Sequence, residues 1–240
     1  MKTPAQGRKR PLQNFFQAVP PSYDRINRLL TFRMDEYWRQ KAAGRLMQGD
    51  NKRMLDLCTG TGDLAMHLQK RAKTDTEIYA LDYSEPMLER ARRKAARLHN
   101  QNIRFIPGDA ANMPFEDGFF DAVGIAFAFR NLTYKNPDSD IFLGEILRVL
   151  RPGGQFVAVE TSQPGNPLIR SIFHAYMRYI TGPAGGWLSG QKPAYKYLAH
   201  SAVHYYTAPQ LQKVLLDAGF SQVSYHPFFN GVAVLWDCRK

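Results

Sequence analysis

The sequence predicts an α/β fold organised on a parallel sheet, and three stretches carry that prediction. Met54-Leu55-Asp56-Leu57-Cys58 is an apolar run of strand length, Gly60 and Gly62 follow it in a tight turn, and Leu64, Leu68 and Ala72 then recur at helical spacing. A second short apolar run, Ile78-Tyr79-Ala80-Leu81, ends in Asp82, twenty residues past Gly62. Strand, glycine turn, helix and second strand make a βαβ unit. An acidic residue closing its second strand can accept hydrogen bonds from a ribose diol, so the unit reads as a nucleoside-binding module.

Charge indicates which nucleoside. Gly60-x-Gly62-x-x-Ala65 also fits the dinucleotide fingerprint, which holds an anionic pyrophosphate on backbone N–H groups. Here Asp56 precedes the turn and Asp63 follows it. Two unit charges about 4 Å apart interact by roughly 4 kcal/mol at an effective dielectric near 20, which disfavours a diphosphate. A cofactor with an ammonium and a sulfonium makes the same interaction favourable, and S-adenosylmethionine (SAM) is that cofactor. Glycine pairs serve many strand-to-helix turns by supplying positive φ, so the pair acquires meaning from Asp56 and Asp82 on either side.

The length of 240 residues suits one large α/β domain spanning 1–240, and no stretch reads as a linker. Hydrophobic residues at 44% and apolar runs too short for a bilayer argue against a membrane-spanning chain. Cys58 and Cys238 are the only cysteines and no metal-ligand spacing appears, so no metal is expected and a reducing cytoplasm is the simplest setting. Residues 1–12 are basic without an apolar core and read as a mobile arm, not a secretory signal. The net charge of +11 is that of chains drawn to nucleic acid or anionic membranes. Its dense clusters are Arg8-Lys9-Arg10 and the Arg90 to Arg97 helix, and no RNA-binding module pattern accompanies them.

In chain order, Phe15, Phe16, Val19, Tyr23, Ile26, Leu29 and Leu30 predict N-terminal amphipathic helices, which would either cover the cofactor or pack on the sheet. Ser84 caps a helix running to His99, and the strand Ile103–Ile106 leads to Asp109, placed either to take an adenine amino group or to cap a helix. A fourth strand, Asp121 to Phe127, opens into Ala128-Phe129-Arg130-Asn131, where an arginine is placed to act on substrate. A helix from about Asp138 to Leu150 stops at Arg151-Pro152-Gly153-Gly154, and a fifth strand covers Gln155 to Glu160. Residues 161–206 form an insertion on the substrate side. Within it, Leu168, Ile169, Ile172, Phe173, Tyr176, Met177, Tyr179 and Ile180 fall on one half of a helical wheel, and Arg170, His174 and Arg178 on the other. Two β-like runs, Gln222–Tyr225 and Gly231–Trp236, close the sheet, one of them antiparallel.

Several blocks together resemble the ubiquinone/menaquinone biosynthesis C-methyltransferases, the UbiE/MenG family. They are the segment Phe16 to Asp24, Leu55 to Asp63, Leu81 to Leu88, Gly108-Asp109-Ala110, Met113-Pro114-Phe115, Phe127 to Asn131, Arg148 to Gly154 and Tyr197 to Ser201. The resemblance implies a Rossmann-like, seven-stranded class I methyltransferase fold with N-terminal helices and a helical insertion after strand five. It implies methyl transfer from SAM to a ring carbon of a prenylated benzoquinol or naphthoquinol. The expected cofactor contacts are Tyr23, Asp56, Gly60, Thr61, Gly62, Asp82, Tyr83, Asp109 and Ala110, and Arg130 with Asn131 is expected beside the reacting ring. This chain departs from the family at Ala126, Ala128 and Tyr205-Tyr206, all on the substrate side.

Carbon methylation needs a quinol that loses its phenolic proton. Arg130 stays protonated and is expected to stabilise the phenolate or orient a water, while His200 and His204 are candidates for the base against the alternative of a structural histidine on a helix. The stripe Arg170, His174, Arg178 and the basic arm suggest peripheral docking on an anionic membrane, against the alternative of a solvated helix face. A homodimer stays open, no nucleic acid partner is expected, and the competing reading is a SAM-dependent methyltransferase of another small molecule or of RNA.

Overall fold

The computed structural model describes residues 22–98 and 102–240. The arm at 1–12 with Arg8 to Arg10, the positions Phe15, Phe16 and Val19, and the expected helix end at His99 lie outside the described residues. The strands β1 (Arg53–Leu57), β2 (Glu77–Asp82), β3 (Ile103–Pro107), β4 (Phe120–Ala126), β5 (Leu150–Thr161), β6 (Gln222–Phe228) and β7 (Ala233–Arg239) form one sheet in the order β3-β2-β1-β4-β5-β7-β6. Adjacent pairs among β1 to β5 are parallel. The reversed strand is β7, antiparallel to both β5 and β6. Only residues 229–232 join β6 to β7, too few for a parallel crossover, and Gly231 at φ +95° makes the tight return.

Helices cover both faces, so the central strands read as continuous apolar runs. Alternate residues go to opposite sides. Leu55, Leu57, Tyr79, Leu81, Val123 and Phe156 belong to one core, with helices α6 (Ser139–Val149) and α10 (Ala208–Asp217). Met54, Ile78, Ala80, Ala122 and Val157 belong to the other, with α2 (Met34–Leu46) and α3 (Asp63–Gln69). A Cβ on Gly124 of β4 would lie 2.6 Å from Leu46 Cδ1 and 3.2 Å from Leu64 Cδ2, so this glycine sets how closely α2 approaches the sheet. The remaining helices are α1 (Tyr23–Leu30), α4 (Glu85–Arg97), α5 (Phe129–Thr133), α7 (Pro167–Tyr176), α8 (Gly182–Ser189) and α9 (Lys192–His204), with a π-helical turn at Met177–Thr181.

Two expectations change. β5 begins at Leu150, not Gln155: Phe120 pairs with Leu150 and Ala122 with Gln155, so residues 151–154 bulge out of the strand with Gly153 at φ +72°. The wheel of the insertion helix also divides differently. Phe173 and Met177 are buried against Ala199, Ala202 and Val203, but Leu168, Ile172, Tyr179 and Ile180 are 49–70% exposed. Arg170 Nε donates to the Pro164 carbonyl at 2.8 Å, and His174 Nε2 lies 2.6 Å from Gln163 Oε1, so both basic residues turn back onto the chain. The core beneath α7 is small and takes only Phe173 and Met177 from this stretch, which leaves Leu168 and Ile172 outside it. The π turn at Met177–Thr181 changes the helical phase for Tyr179 and Ile180.

Candidate active site

At the C-terminal ends of β1 to β4 lies a cavity of about 1050 Å³. Open parallel sheets bind ligands at this edge. The walls come from the strand ends, from Tyr23, Asp24 and Asn27 of α1, from Asp35 and Arg39 of α2, and from Gln191 to Tyr197 at the start of α9. Eight of the nine expected cofactor residues line it: Tyr23, Asp56, Gly60, Thr61, Asp82, Tyr83, Asp109 and Ala110. Gly62 does not. It caps α3 at φ +82°, and a Cβ there would meet Ala91 Cβ at 3.1 Å, so its work is the turn and the seating of α3 on α4.

The first crossover turn is built on carboxylates. Asp82 Oδ2 accepts the Gly60 N–H at 2.7 Å and Oδ1 the Ser84 N–H at 2.8 Å. Each oxygen keeps a second lone pair for a diol, and burial raises the carboxyl above its usual range. Asp56 accepts the Thr59 hydroxyl and, at 2.9 Å, the Ala65 N–H, closing the turn from beneath. Burial pushes its carboxyl up to about 7, although both hydrogen bonds oppose the rise. Asp109 takes the Ala111 N–H at 2.9 Å and closes a turn with Asn112, with no helix after it to cap.

Asp63 corrects the charge argument. Lys94 Nζ sits 2.5 Å from its Oδ1 and Arg28 Nη2 at 3.3 Å. Burial alone would raise this carboxyl, but Arg39 and Lys94 more than offset it and hold the group below its usual range. The acidic field therefore comes from the set as a whole. Among the described residues Asp24, Asp35, Asp56, Asp63, Asp82, Asp109 and Asp138 line the cavity together with Arg39 and Lys135, while Lys94 and Arg28 offset Asp24 and Asp63 from behind, in a chain of net charge +11. Gly60 at φ +58° lets backbone approach a ligand closely. Diol acceptors, an acidic field and a close backbone fit a positively charged nucleoside such as SAM.

On the substrate side Asn131, Ala126 and Ala128 line the cavity, whereas Arg130 and His200 do not. Arg130 is 5% exposed and its Nη1 lies 2.6 Å from both Glu160 Oε1 and Thr161 Oγ1. Its Nε donates to Ser201 Oγ at 3.0 Å and its backbone N–H to Glu160 Oε2 at 3.1 Å. Arg130 thus ties α5, directly after β4, to the end of β5 and to α9, and its side chain is not among those lining the cavity. His200 is exposed, its ring lies 4.3 Å from that of the exposed His204 and tilted to it, and neither histidine is among the residues lining the cavity. Sequence reasoning missed Asp35, Arg39, Tyr134, Asp138 and Tyr197 as lining residues. Only Tyr197 left a signal, recurring with Pro193 and Ala194 at three- and four-residue spacing.

The model of the ubiE/COQ5 methyltransferase family matches residues 3–240. The chain belongs to this family. Among curated proteins, the demethylmenaquinone methyltransferase of Thermus thermophilus is 40% identical over 220 residues, covering 92% of this chain and 97% of the relative. That of Staphylococcus saprophyticus is 34% identical over 230 residues, covering 96% of each. Among solved structures, a SAM-dependent methyltransferase from Aquifex aeolicus superposes with a TM-score of 0.61 at 19% identity, covering 90% of this chain and 97% of that one. This ubiE/COQ5 member is a SAM-dependent methyltransferase with the class I fold.

Proposed function

We propose that this enzyme methylates a ring carbon of a prenylated naphthoquinol of the demethylmenaquinol class, as one catalytic domain. The observation that carries the reading is a single cavity with an acidic nucleoside end and an apolar, aromatic-rich end formed by Leu132, Tyr134, Phe142 and Tyr197. The name borne by relatives at 33–40% identity supports the same substrate class. When bound, SAM supplies an electrophilic methyl group. The chain's own work is to hold and align: Asp82 takes the ribose diol, Asp109 and Ala110 the adenine edge, and the aromatic end seats the ring for in-line attack at about 3–3.5 Å. Arg130, clamped by Glu160 and Ser201, fixes the loop that presents Asn131. Among the described residues no histidine lines this cavity, and Asp138 is a carboxylate at its aromatic end. In this proposal Asn131 orients the quinol hydroxyl and Asp138 receives its proton.

The assay is methyl transfer from labelled SAM to demethylmenaquinol, to a prenylated benzoquinol precursor and to bulk RNA. Label in the naphthoquinol is expected. Label in RNA with none in either quinol would sink the proposal.

The same reading sets the enzyme at the cytoplasmic surface of the membrane, where a polyisoprenoid substrate resides. Among the described residues no helix is long and apolar enough to cross a bilayer. Leu29 and Phe32 at the end of α1, Ile172 and Tyr179 of the insertion, and Trp187 of α8 are 62–78% exposed. Residues 161–206 hold no Asp or Glu but carry Arg170, Arg178, Lys192 and Lys196. Exposed apolar side chains beside unopposed cations suit an anionic lipid surface. Co-sedimentation with phosphatidylglycerol vesicles at low salt is expected, weakened at least tenfold by Ile172→Glu with Trp187→Glu; unchanged binding by that variant would refute the surface.

A further inference from the structure

SAM is a zwitterion at its methionyl end, and an acidic cavity welcomes the ammonium and sulfonium while repelling the carboxylate. Seven aspartates line the walls, so the carboxylate needs a cation of its own. The candidates can be separated. Arg28 and Lys94 lie near the site, but neither lines the cavity and each is shared between two carboxylates, Arg28 between Asp63 and Glu36 and Lys94 between Asp24 and Asp63. Arg39 lines the cavity and, among the described residues, pairs directly with Asp35. Lys135 lines the opposite, aromatic end, with its Nζ 5.4 Å from the centre of the Tyr134 ring. Arg39 remains.

Direction gives an independent argument. With the adenine at Asp109 beyond β3 and the ribose at Asp82 of β2, the rest of the cofactor runs across β1 toward β4. From β3 to β4 is three strand spacings, about 14 Å. At the far end of that path, Arg39 Cζ lies 4.8 Å over the ring of Phe127, the residue after β4, and both residues line the cavity. The guanidinium is preset. Nη1 donates to Asp35 Oδ2 at 2.6 Å, and Asp35 Oδ1 in turn accepts the Thr31 hydroxyl at 2.6 Å. The bond to Asp35 occupies one of the five N–H donors of a guanidinium that lines the cavity, and the planar fork of such a group matches a carboxylate.

We infer that Arg39 receives the carboxylate of the methionyl end of SAM, with Asp35 and Phe127 holding its guanidinium in place. This rests on SAM occupying the cavity. The arrangement gives the enzyme a means of telling the full cofactor from adenosine-containing fragments that lack the amino-acid end.

The test is calorimetric and needs no turnover. S-Adenosylhomocysteine carries the carboxylate and 5′-methylthioadenosine lacks it; both are titrated into the wild type, Arg39→Gln and Arg39→Lys. Hydrogen bonds to charged groups contribute on the order of 1.5–3 kcal/mol, so Arg39→Gln is expected to weaken S-adenosylhomocysteine about 10- to 100-fold. Binding of 5′-methylthioadenosine should stay within about twofold, and Arg39→Lys should fall between. Equal loss of both ligands, or loss of neither, overturns the assignment. Should the variants fail to fold, the wild type still decides: decarboxylated S-adenosylhomocysteine binding as tightly as the intact ligand refutes it, and a tenfold or greater deficit supports it. A wild type that binds none of these ligands would instead overturn SAM occupancy itself.

Discussion

Replacing Arg130 with Met tests whether this residue positions the site or touches the reaction. Its partner Glu160 is completely buried, and the pair closes at 2.6 Å. Breaking a buried pair costs about 3–5 kcal/mol because a charge is left without its counterpart. In Arg130→Met, Glu160 keeps the Thr161 N–H at 2.9 Å, the Thr161 hydroxyl at 3.0 Å and the N–H of residue 130. The expected loss is therefore near the lower end, about 3 kcal/mol, or roughly 100-fold in the unfolding constant. Glu160→Gln strands a buried guanidinium and should cost more, about 4–5 kcal/mol. The double variant Arg130→Met with Glu160→Leu should recover most of the stability, since an apolar pair of similar volume removes both charges. Urea unfolding at one pH gives these values, and S-adenosylhomocysteine calorimetry with single-turnover rates completes the set. Cofactor affinity should change by a few-fold only, while turnover falls about 10- to 100-fold as the loop loses its tie to α9. A loss of stability under about 1 kcal/mol together with a turnover loss beyond about 10⁴-fold would refute the positioning role and put Arg130 on the substrate.

Asp56 predicts a pH dependence. Its folded carboxyl is pushed up to about 7 from an ordinary 3.8, so between these values the native state holds a proton that the unfolded chain has released. This contribution is fully present below about pH 4 and is lost as pH rises through about 7, amounting to at most about 4 kcal/mol. Urea titrations at pH 5 and pH 8 should show the decline in the wild type and its absence in Asp56→Asn; parallel curves would contradict it. Gly124→Ala pushes a methyl against Leu46, so a cost of about 1–3 kcal/mol is expected in thermal unfolding. Because α2 carries Asp35 and Arg39, S-adenosylhomocysteine affinity should fall with it, and an unchanged affinity would mean that α2 moves independently of the site.

What the sequence determined by itself is what short range determines. The strand from Met54, the turn at Gly60 and Gly62 and the acid at Asp82 lie within thirty residues, and apolar period, positive φ and carboxylate chemistry act at that range. A parallel sheet with one antiparallel strand among the last two was also expected, while most of the residues that line the cavity at its nucleoside end came from the resemblance of their blocks to the UbiE/MenG family. Tertiary structure alone decided which charges meet. Asp63 is adjacent to the turn in sequence, yet Lys94 and Arg28, 31 and 35 residues away, neutralise it. Arg130 reads as a substrate residue until Glu160 and Ser201, 30 and 71 residues on, are folded against it. The inward face of α7 was equally hidden, because a helical wheel fixes which residues share a side but not which side finds a core. Electrostatic pairing and burial depend on distance in space, and only the closed sheet sets those distances.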